Sequence, residues 1–328
     1  RSQQRGSKTR EPTAGRGAPY RGRFAPSPTG PLHFGSLVAA FGSYLDARVA
    51  GGEWLLRMED LDRTREVPGA ADGILGTLDA FGFEWDGPVL YQSARTDAYA
   101  DAIEQLSAAG LVFPCACSRR EIAANGARGA DGPIYPGTCR RGLAPGRQPR
   151  SLRLYTESGP ILVRDRIRGE LRQDLEHEVG DFVLRRADGI HAYQLAVVID
   201  DAFQGINQVV RGADLLPSTP RQLFLLRVLG LPVPAYAHLP LAVDTAGRKL
   251  SKSHSAAPVH RAAALPALLQ AWSFLGQEPF PEHPASLVEL WIHAISTWDT
   301  SRVPEEVART IDSARPPRIP RPVTKSSR

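Results

Sequence analysis

Lysine is nearly missing from this chain: among 328 residues it occurs only at Lys8, Lys249, Lys252 and Lys325, and arginine does the other cationic work. Any site that needs flexible ammonium groups in the folded body is therefore confined to one place, where two lysines stand three residues apart. Cysteine is as sparse, with three copies, Cys115, Cys117 and Cys139, all inside one short window. That count excludes a disulfide-rich secreted scaffold. Long apolar runs are missing too, none approaching the roughly 20 residues that span a bilayer. The N-terminus carries no apolar signal core, so no membrane association is expected and the expected compartment is the cytoplasm. No internal repeat is found.

Hydrophobic residues make up 42% of the chain and charged residues 23%, ordinary for a globular protein large enough for two compact units. The net charge of +5 is unevenly spread. Residues 1–20 set Arg1, Arg5, Lys8, Arg10 and Arg16 against Glu11 alone. Residues 313–328 carry Arg315, Arg318, Arg321, Lys325 and Arg328 with no acid. Together the tails exceed the net charge of the whole chain, so the body between them is acidic. The basic balance belongs to the tails and is weak evidence that the folded part binds RNA.

The stretch around which the rest is organised runs from Arg23 to Ser36, Arg-Phe-Ala-Pro-Ser-Pro-Thr-Gly-Pro-Leu-His-Phe-Gly-Ser. An apolar strand opens it, Pro26, Pro28 and Gly30 break it, and a helical pattern follows to Val49. A strand that bends into a helix N-terminus leaves backbone N–H groups beside the strand's end, a geometry suited to phosphate. His33 and Ser36 add side-chain donors, and Gly35 permits close approach of a flat ring. Neither G-x-G-x-x-G nor Walker A spacing is present here, which excludes both of those fingerprints.

Beyond it, Trp54–Met58 reads as a buried strand that delivers Glu59-Asp60-Leu61-Asp62 to its C-terminal end. Helices are expected at about 70–81 and 96–109. Strand, helix, strand, helix, helix argues for a parallel doubly wound sheet. Cys115-Ala-Cys117 and Tyr135-Pro-Gly-Thr-Cys139 follow. Three thiols on two turns point to a tetrahedral zinc site short of one ligand, which Tyr135 can supply as a phenolate. Chance clustering of reduced thiols is the bland alternative.

Short strands at 151–155 and 161–164 belong to the same inserted α+β piece. From Asp181 the sheet pattern resumes, with Ala192–Ile199 an apolar run ending in Asp200-Asp201. Ile206–Val210 is strand-like and delivers Arg211, and a helix is expected from about Pro220 to Leu229. Lys249-Leu-Ser-Lys-Ser253 comes next, then helical segments at about 262–275 and 286–298. The division expected is a basic disordered tail (1–20), the first half of the catalytic domain (21–112), and an inserted zinc-knuckle subdomain (113–180). The second half (181–245), the lysine loop with helices (246–300), and a Pro- and Arg-rich disordered tail (301–328) complete it.

The first stretch resembles the "HIGH" region of class I aminoacyl-tRNA synthetases in its glutamate-type form, P-S-P-T-G-x-L-H-x-G, with Ser36 in place of a second His. Lys249–Ser253 is similar to the family's K-M-S-K-S loop, with Leu250 in the Met place. Arg57-Met-Glu-Asp-Leu-Asp62, the run from Tyr193 to Asp201, Val210–Asp214 and His238-Leu-Pro-Leu241 extend the resemblance over roughly residues 21–260. It is closest to the glutamyl branch, and within it to the glutamyl-queuosine tRNA(Asp) synthetases. The His-Phe-Gly-Ser form, the C-x-C…Y-x-x-x-C knuckle, and the short chain after Ser253 point there. About 75 residues are too few for a separate helical anticodon reader.

The resemblance implies a Rossmann-like α/β fold split by the knuckle, and activation of glutamate by ATP with Mg²⁺ to glutamyl-adenylate. The glutamyl group then passes to queuosine at the wobble position of tRNA(Asp). Arg23 and Arg211 would hold the carboxylates of glutamate, Glu59 the ammonium; Tyr193 would close the pocket, lined by Ala25 and Ser27. His33, Gly35, Lys249 and Lys252 would serve ATP, with His33 and Lys252 catalytic. One structural zinc would sit on Cys115, Cys117, Tyr135 and Cys139, and a monomer is expected. Two alternatives stand beside this: a shortened glutamyl-tRNA synthetase charging a 3′ end, and a silent synthetase-like RNA-binding protein. Retention of Arg23, Glu59, Arg211 and Lys252 argues against silence.

Overall fold

The computed structural model describes residues 18–129, 132–248 and 257–311. Strand β1 (Arg21–Phe24) leads through the proline-rich bend into helix α1 (Phe34–Val49), and β2 (Glu53–Met58) returns parallel to β1 with Arg23 opposite Leu55. Helix α2 (Ala70–Ala80) precedes β3 (Leu90–Tyr91), which pairs parallel with β2. Helix α3 (Thr96–Ala108) ends this first half. In the bend, Gly30 has φ +133°, a conformation that a side chain would strain.

The insertion begins with β4 (Val112–Cys115), α4 (Arg119–Asn125) and the short hairpin of β5 (Arg128–Gly129) and β6 (Gly132–Pro133). Strand β7 (Ser151–Leu154) pairs antiparallel with β4. Strands β8 (Pro160–Asp165) and β9 (Gly169–Asp174) form a hairpin, and the short helix α5 (Leu175–Glu178) follows. Strand β10 (Phe182–Arg185) then joins the other edge of β7. The sheet pattern read from Asp181 onward thus differs in the structure, because β10 completes the inserted sheet and not the parallel one.

Helix α6 (Tyr193–Phe203) comes next, so the apolar run ending at Ile199 is a buried helix capped by Ala192, where the sequence pattern suggests resumed sheet. A short continuous apolar run carries no period that separates the two. The parallel pattern returns with β11 (Gln208–Gly212), α7 (Thr219–Leu229) and β12 (Ala235–Leu239), where β12 lies parallel to β11. The β8–β9 hairpin attaches to the outer edge of β12 through one parallel bridge, Tyr236 to Asp165. The two half-sheets meet at β1 and β11, where the Asn207 N–H donates to the Arg21 carbonyl (3.1 Å) and its side chain accepts from the Arg21 N–H (2.9 Å).

Helix α1 fills the angle between these halves and is buried along most of its length, from Leu37 to Ala47. An all-round apolar helix belongs at the centre of a fold. Gly42 keeps it close to β12: a Cβ there would lie 2.6 Å from Leu239 Cδ1. On its far side pack α8 (Ala264–Phe274) and α9 (Leu287–Thr297), with the Phe41 ring 5.3 Å from Trp291 and 6.4 Å from Trp272. Each such buried ring adds about 1.5–3 kcal/mol of burial. A second core gathers α3, α6 and α7 with β7 and β10, and a third holds Phe113, Cys115, Tyr135 and Cys139.

Both ends of the described chain differ from the tails expected. Tyr20 accepts the Glu53 N–H and donates its hydroxyl to Asp46 (2.5 Å). At the other end, β13 (Leu241–Val243) pairs parallel with β14 (Ala308–Thr310), and Val303 is buried. Within the segment 301–311, residues 308–310 therefore form a strand paired with β13. Residues 1–17 and 312–328 lie outside the described residues. Among the described residues no helix is long and apolar enough to cross a membrane.

Candidate active site

A cleft of about 690 Å³ opens at the C-terminal ends of β1, β2, β11 and β12, where open α/β sheets place their ligands. Arg23, Ala25, Ser27, His33, Gly35, Glu59, Tyr193 and Arg211 all line it. These eight residues come from four separate parts of the sequence, and the structure brings every one of them to the same cavity. Lys249 and Lys252 lie outside the described residues. The described chain resumes at residue 257: Pro258 bridges His33, and the Val259 N–H donates to the Leu32 carbonyl (2.9 Å). Residues 258 and 259 therefore lie beside the His33 end of the cleft.

His33 caps α1. Its Nδ1 accepts the Ser36 N–H at 3.3 Å while Nε2 lies 3.1 Å from the Ser36 hydroxyl. An Nδ1 that accepts leaves the proton on Nε2, facing the Ser36 hydroxyl at a helix N-terminus, where phosphate is favoured. The Glu59 N–H donates to the Pro26 carbonyl (3.0 Å), which ties the end of β2 to the bend.

The charged side chains are held from behind. Arg23 makes a fork to Asp201 through Nε (3.1 Å) and Nη2 (3.3 Å). Arg57, fully buried, lies 2.8 Å from the same carboxylate and 3.6 Å from Glu59. Asp200, next in sequence, turns the other way and accepts from Gln92, Arg95 and Tyr99. Burial raises the Asp201 carboxyl, but Arg23 and Arg57 outweigh it and hold it below the usual range. Burial likewise pushes Glu59 up, and there Arg57 and Arg23 offset it only in part. At this end of the cleft the guanidiniums of Arg23, Arg57 and Arg211 stand with the carboxylates of Glu59 and Asp201, a formal excess of one positive charge among these five groups.

Arg211, at the end of β11, donates from Nε to His238 Nε2 (3.0 Å) and from Nη2 to Thr219 Oγ1 (2.9 Å) and the Leu215 carbonyl (3.3 Å). Its Nη1 is left toward Tyr193 Oη at 3.5 Å. Burial pushes the Tyr193 phenol up, so it stays a neutral donor. Arg57, Asp201, Thr219 and His238 were not assigned roles from the sequence. The signal existed for two of them: an arginine inside an apolar strand and an acidic pair ending an apolar run must be paired if buried.

The thiols also meet. Cys115, Cys117 and Cys139 place their sulfurs within 4.8 Å of one another, with Cys117 to Cys139 at 3.7 Å. Tyr135 Oη lies 3.5 Å from Cys115 Sγ and accepts the Cys139 N–H at 2.8 Å. Burial raises the Cys115 thiol, but the Tyr135 hydrogen bond, the Cys117 N–H and Arg153 bring it down to about 7. Burial, then the neighbouring thiols, push Cys117 up to about 11.

Residues 20–264 match the tRNA synthetases class I (E and Q), catalytic domain, family. A glutamyl-Q tRNA(Asp) synthetase of Dechloromonas aromatica (strain RCB) is 61% identical over 88% of this chain and 97% of its own length. One from Chromobacterium violaceum is 58% identical over 87% and 95%. Among solved structures, a glutamate tRNA ligase from Elizabethkingia meningosepticum in complex with its amino acid superposes with a TM-score of 0.72 at 25% identity. That match covers 90% of this chain and 67% of the ligase. This chain belongs to the glutamyl-Q tRNA(Asp) synthetase family, within the class I tRNA synthetases of the E and Q type.

Proposed function

We propose that this protein activates glutamate with ATP and transfers the glutamyl group to queuosine at the wobble position of tRNA(Asp). The observation that carries the activation step is the convergence of Arg23, Glu59, Tyr193 and Arg211 with His33 on one cleft. Arg23 and Arg211 take the two carboxylates of glutamate, Glu59 takes the ammonium, and Tyr193 closes over the side chain, with Ala25 and Ser27 as walls. Arg23 Nη1 and Arg211 Nη1 are the donors their framework partners leave for this.

His33, Gly35, Lys249 and Lys252 serve ATP, and Mg²⁺ bound with the nucleotide would add charge neutralisation. The glutamate α-carboxylate attacks the α-phosphorus in line. The new acyl–phosphate bond forms as the bond to pyrophosphate breaks, and lysine ammonium groups neutralise the leaving charge. A queuosine hydroxyl then attacks the acyl carbon, the acyl–phosphate bond breaks, and AMP leaves as the hydroxyl proton passes to its phosphate. No protein nucleophile is required.

The knuckle residues fit one structural zinc. Sulfurs around a tetrahedral zinc with bonds of about 2.3 Å stand about 3.8 Å apart, and Cys117 and Cys139 are already at 3.7 Å. Tyr135 is the nearest fourth oxygen, and a thiol held near 7 is ready to ionise. Zinc would cross-link β4 to the 135–139 turn and fix the face presented to the RNA.

The test is pyrophosphate exchange followed by mapping of labelled tRNA(Asp). Glutamate-dependent exchange without tRNA, with label in the anticodon loop, is the expected result. Label on the terminal adenosine would instead favour a 3′-charging enzyme, and no exchange would end the catalytic reading.

A further inference from the structure

Behind Arg211 stands a pair of side chains that no step above uses. Asp165 and His238 are both completely buried, and His238 Nδ1 lies 2.6 Å from Asp165 Oδ2. The other oxygen of Asp165 accepts three backbone N–H groups, from Ile167 (3.0 Å), Arg168 (2.8 Å) and His238 itself (3.3 Å). A carboxylate saturated in this way does not rotate. It therefore fixes the proton of His238 on Nδ1, and Nε2 becomes the acceptor for Arg211 Nε at 3.0 Å.

We infer that Asp165 and His238 form a positioning dyad that locks the imidazole in its Nδ1–H tautomer, so that Nε2 holds the Arg211 guanidinium with its Nη1 edge turned to the substrate. The inference rests on the reading of Arg211 as a glutamate clamp. Geometry supports it in three ways. Thr219 Oγ1 takes Nη2, so Nε and Nη2 are both engaged on the side away from the cleft. Tyr236 lies parallel to the imidazole (7° between planes, centroids 6.1 Å apart) and also lies under the guanidinium, 5.5 Å away, which restricts the plane of the His238 ring. Asp165 belongs to β8, the strand that hangs the inserted region on β12 through the bridge to Tyr236. The clamp is therefore set by a residue of the inserted β8, at the point where that strand joins the β11–β12 half-sheet. Burial, with Arg211 and Arg168 nearby, keeps the imidazole neutral against the pull of Asp165. A protonated ring would turn a donor against Arg211 and break the contact.

Two variants divide the dyad. His238→Asn retains a donor for Asp165 at the Nδ1 position but loses the acceptor for Arg211. His238→Gln retains an acceptor near Nε2 and loses the donor. His238→Asn is expected to raise the KM for glutamate in pyrophosphate exchange roughly 10-fold to 100-fold, with the KM for ATP unchanged, and His238→Gln to raise it less. Equal rises in both KM values, or no rise with His238→Asn, would overturn the inference.

A second measurement does not depend on glutamate or on a variant that folds. Long-range ¹H–¹⁵N spectra of the wild type at pH 7 should give His238 as a neutral ring protonated on Nδ1. An Nε2–H tautomer or an imidazolium would overturn the dyad by itself. Were the wild type silent toward glutamate, the proposed function would fail while the tautomer still decided the dyad.

Discussion

Asp201→Asn tests how the charged floor of the cleft is held. The carboxylate serves two guanidiniums, and all three groups are buried: Arg57 is 0% exposed in its side chain, Arg23 4% and Asp201 11%. Removing one partner of a buried ion pair costs about 3–5 kcal/mol, because the surviving charge keeps its desolvation penalty. Here Glu59, 3.6 Å from Arg57, compensates in part, which places the loss near the low end, about 3 kcal/mol. For a chain of this size that is a fall in Tm of about 4–5 °C. The amide also frees Arg23 from its fork, so the KM for glutamate rises with it. The sign with pH follows from the carboxyl's depressed position in the folded state. Its stabilisation is complete above the ordinary carboxylate value and is lost as pH falls through the lower folded value. Wild type and variant should differ fully at pH 7 and converge only in strong acid. Thermal melts with and without glutamate read both effects. A variant that melts with the wild type at pH 7 and keeps its KM would refute the reasoning.

Glu59→Gln should behave in the opposite way toward stability. Burial raises this carboxyl above its unfolded value, so its contribution is fullest below that value and is lost as pH rises through the folded one. At pH 7 the amide is expected to hold or raise the Tm while glutamate-dependent exchange collapses; a lowered Tm would contradict it. For the knuckle, metal analysis should return one zinc per chain, lost in Cys139→Ser, and a strong chelator should lower the Tm of the wild type alone. Zinc retained by Cys139→Ser would remove Cys139 from the ligand set.

Much of the fold could be read from the chain because local pattern and burial agree there. β1, α1 and β2 announce themselves by apolar spacing and by the breakers Pro26, Pro28 and Gly30 between them. Where the sequence misled, the partner decided. Ala308–Thr310 has no apolar alternation, and is a strand because β13 offers it an edge. Residues 193–203 are helical because α6 packs into the second core against α3 and α7, which its near-continuous apolar run conceals.

The site divides in the same way. Arg23, Glu59, Tyr193 and Arg211 are carried by short motifs and were legible as a set. Their supports were not. Asp201 reaches Arg23 across 178 residues, and Asp165 reaches His238 across 73. No spacing rule links such pairs. Only burial, which requires each charge to find a partner, joins them.

The whole account turns on a glutamyl-adenylate lying across the ends of β1 and β11. A crystal structure with a non-hydrolysable glutamyl-adenylate analogue tests this directly. The account predicts the analogue's free carboxylate on the open edges of Arg23 or Arg211, its ammonium against Glu59, and its adenosine beside His33 and Gly35. An analogue seated outside this cleft, or one whose amino-acid end turns away from both arginines, would contradict it.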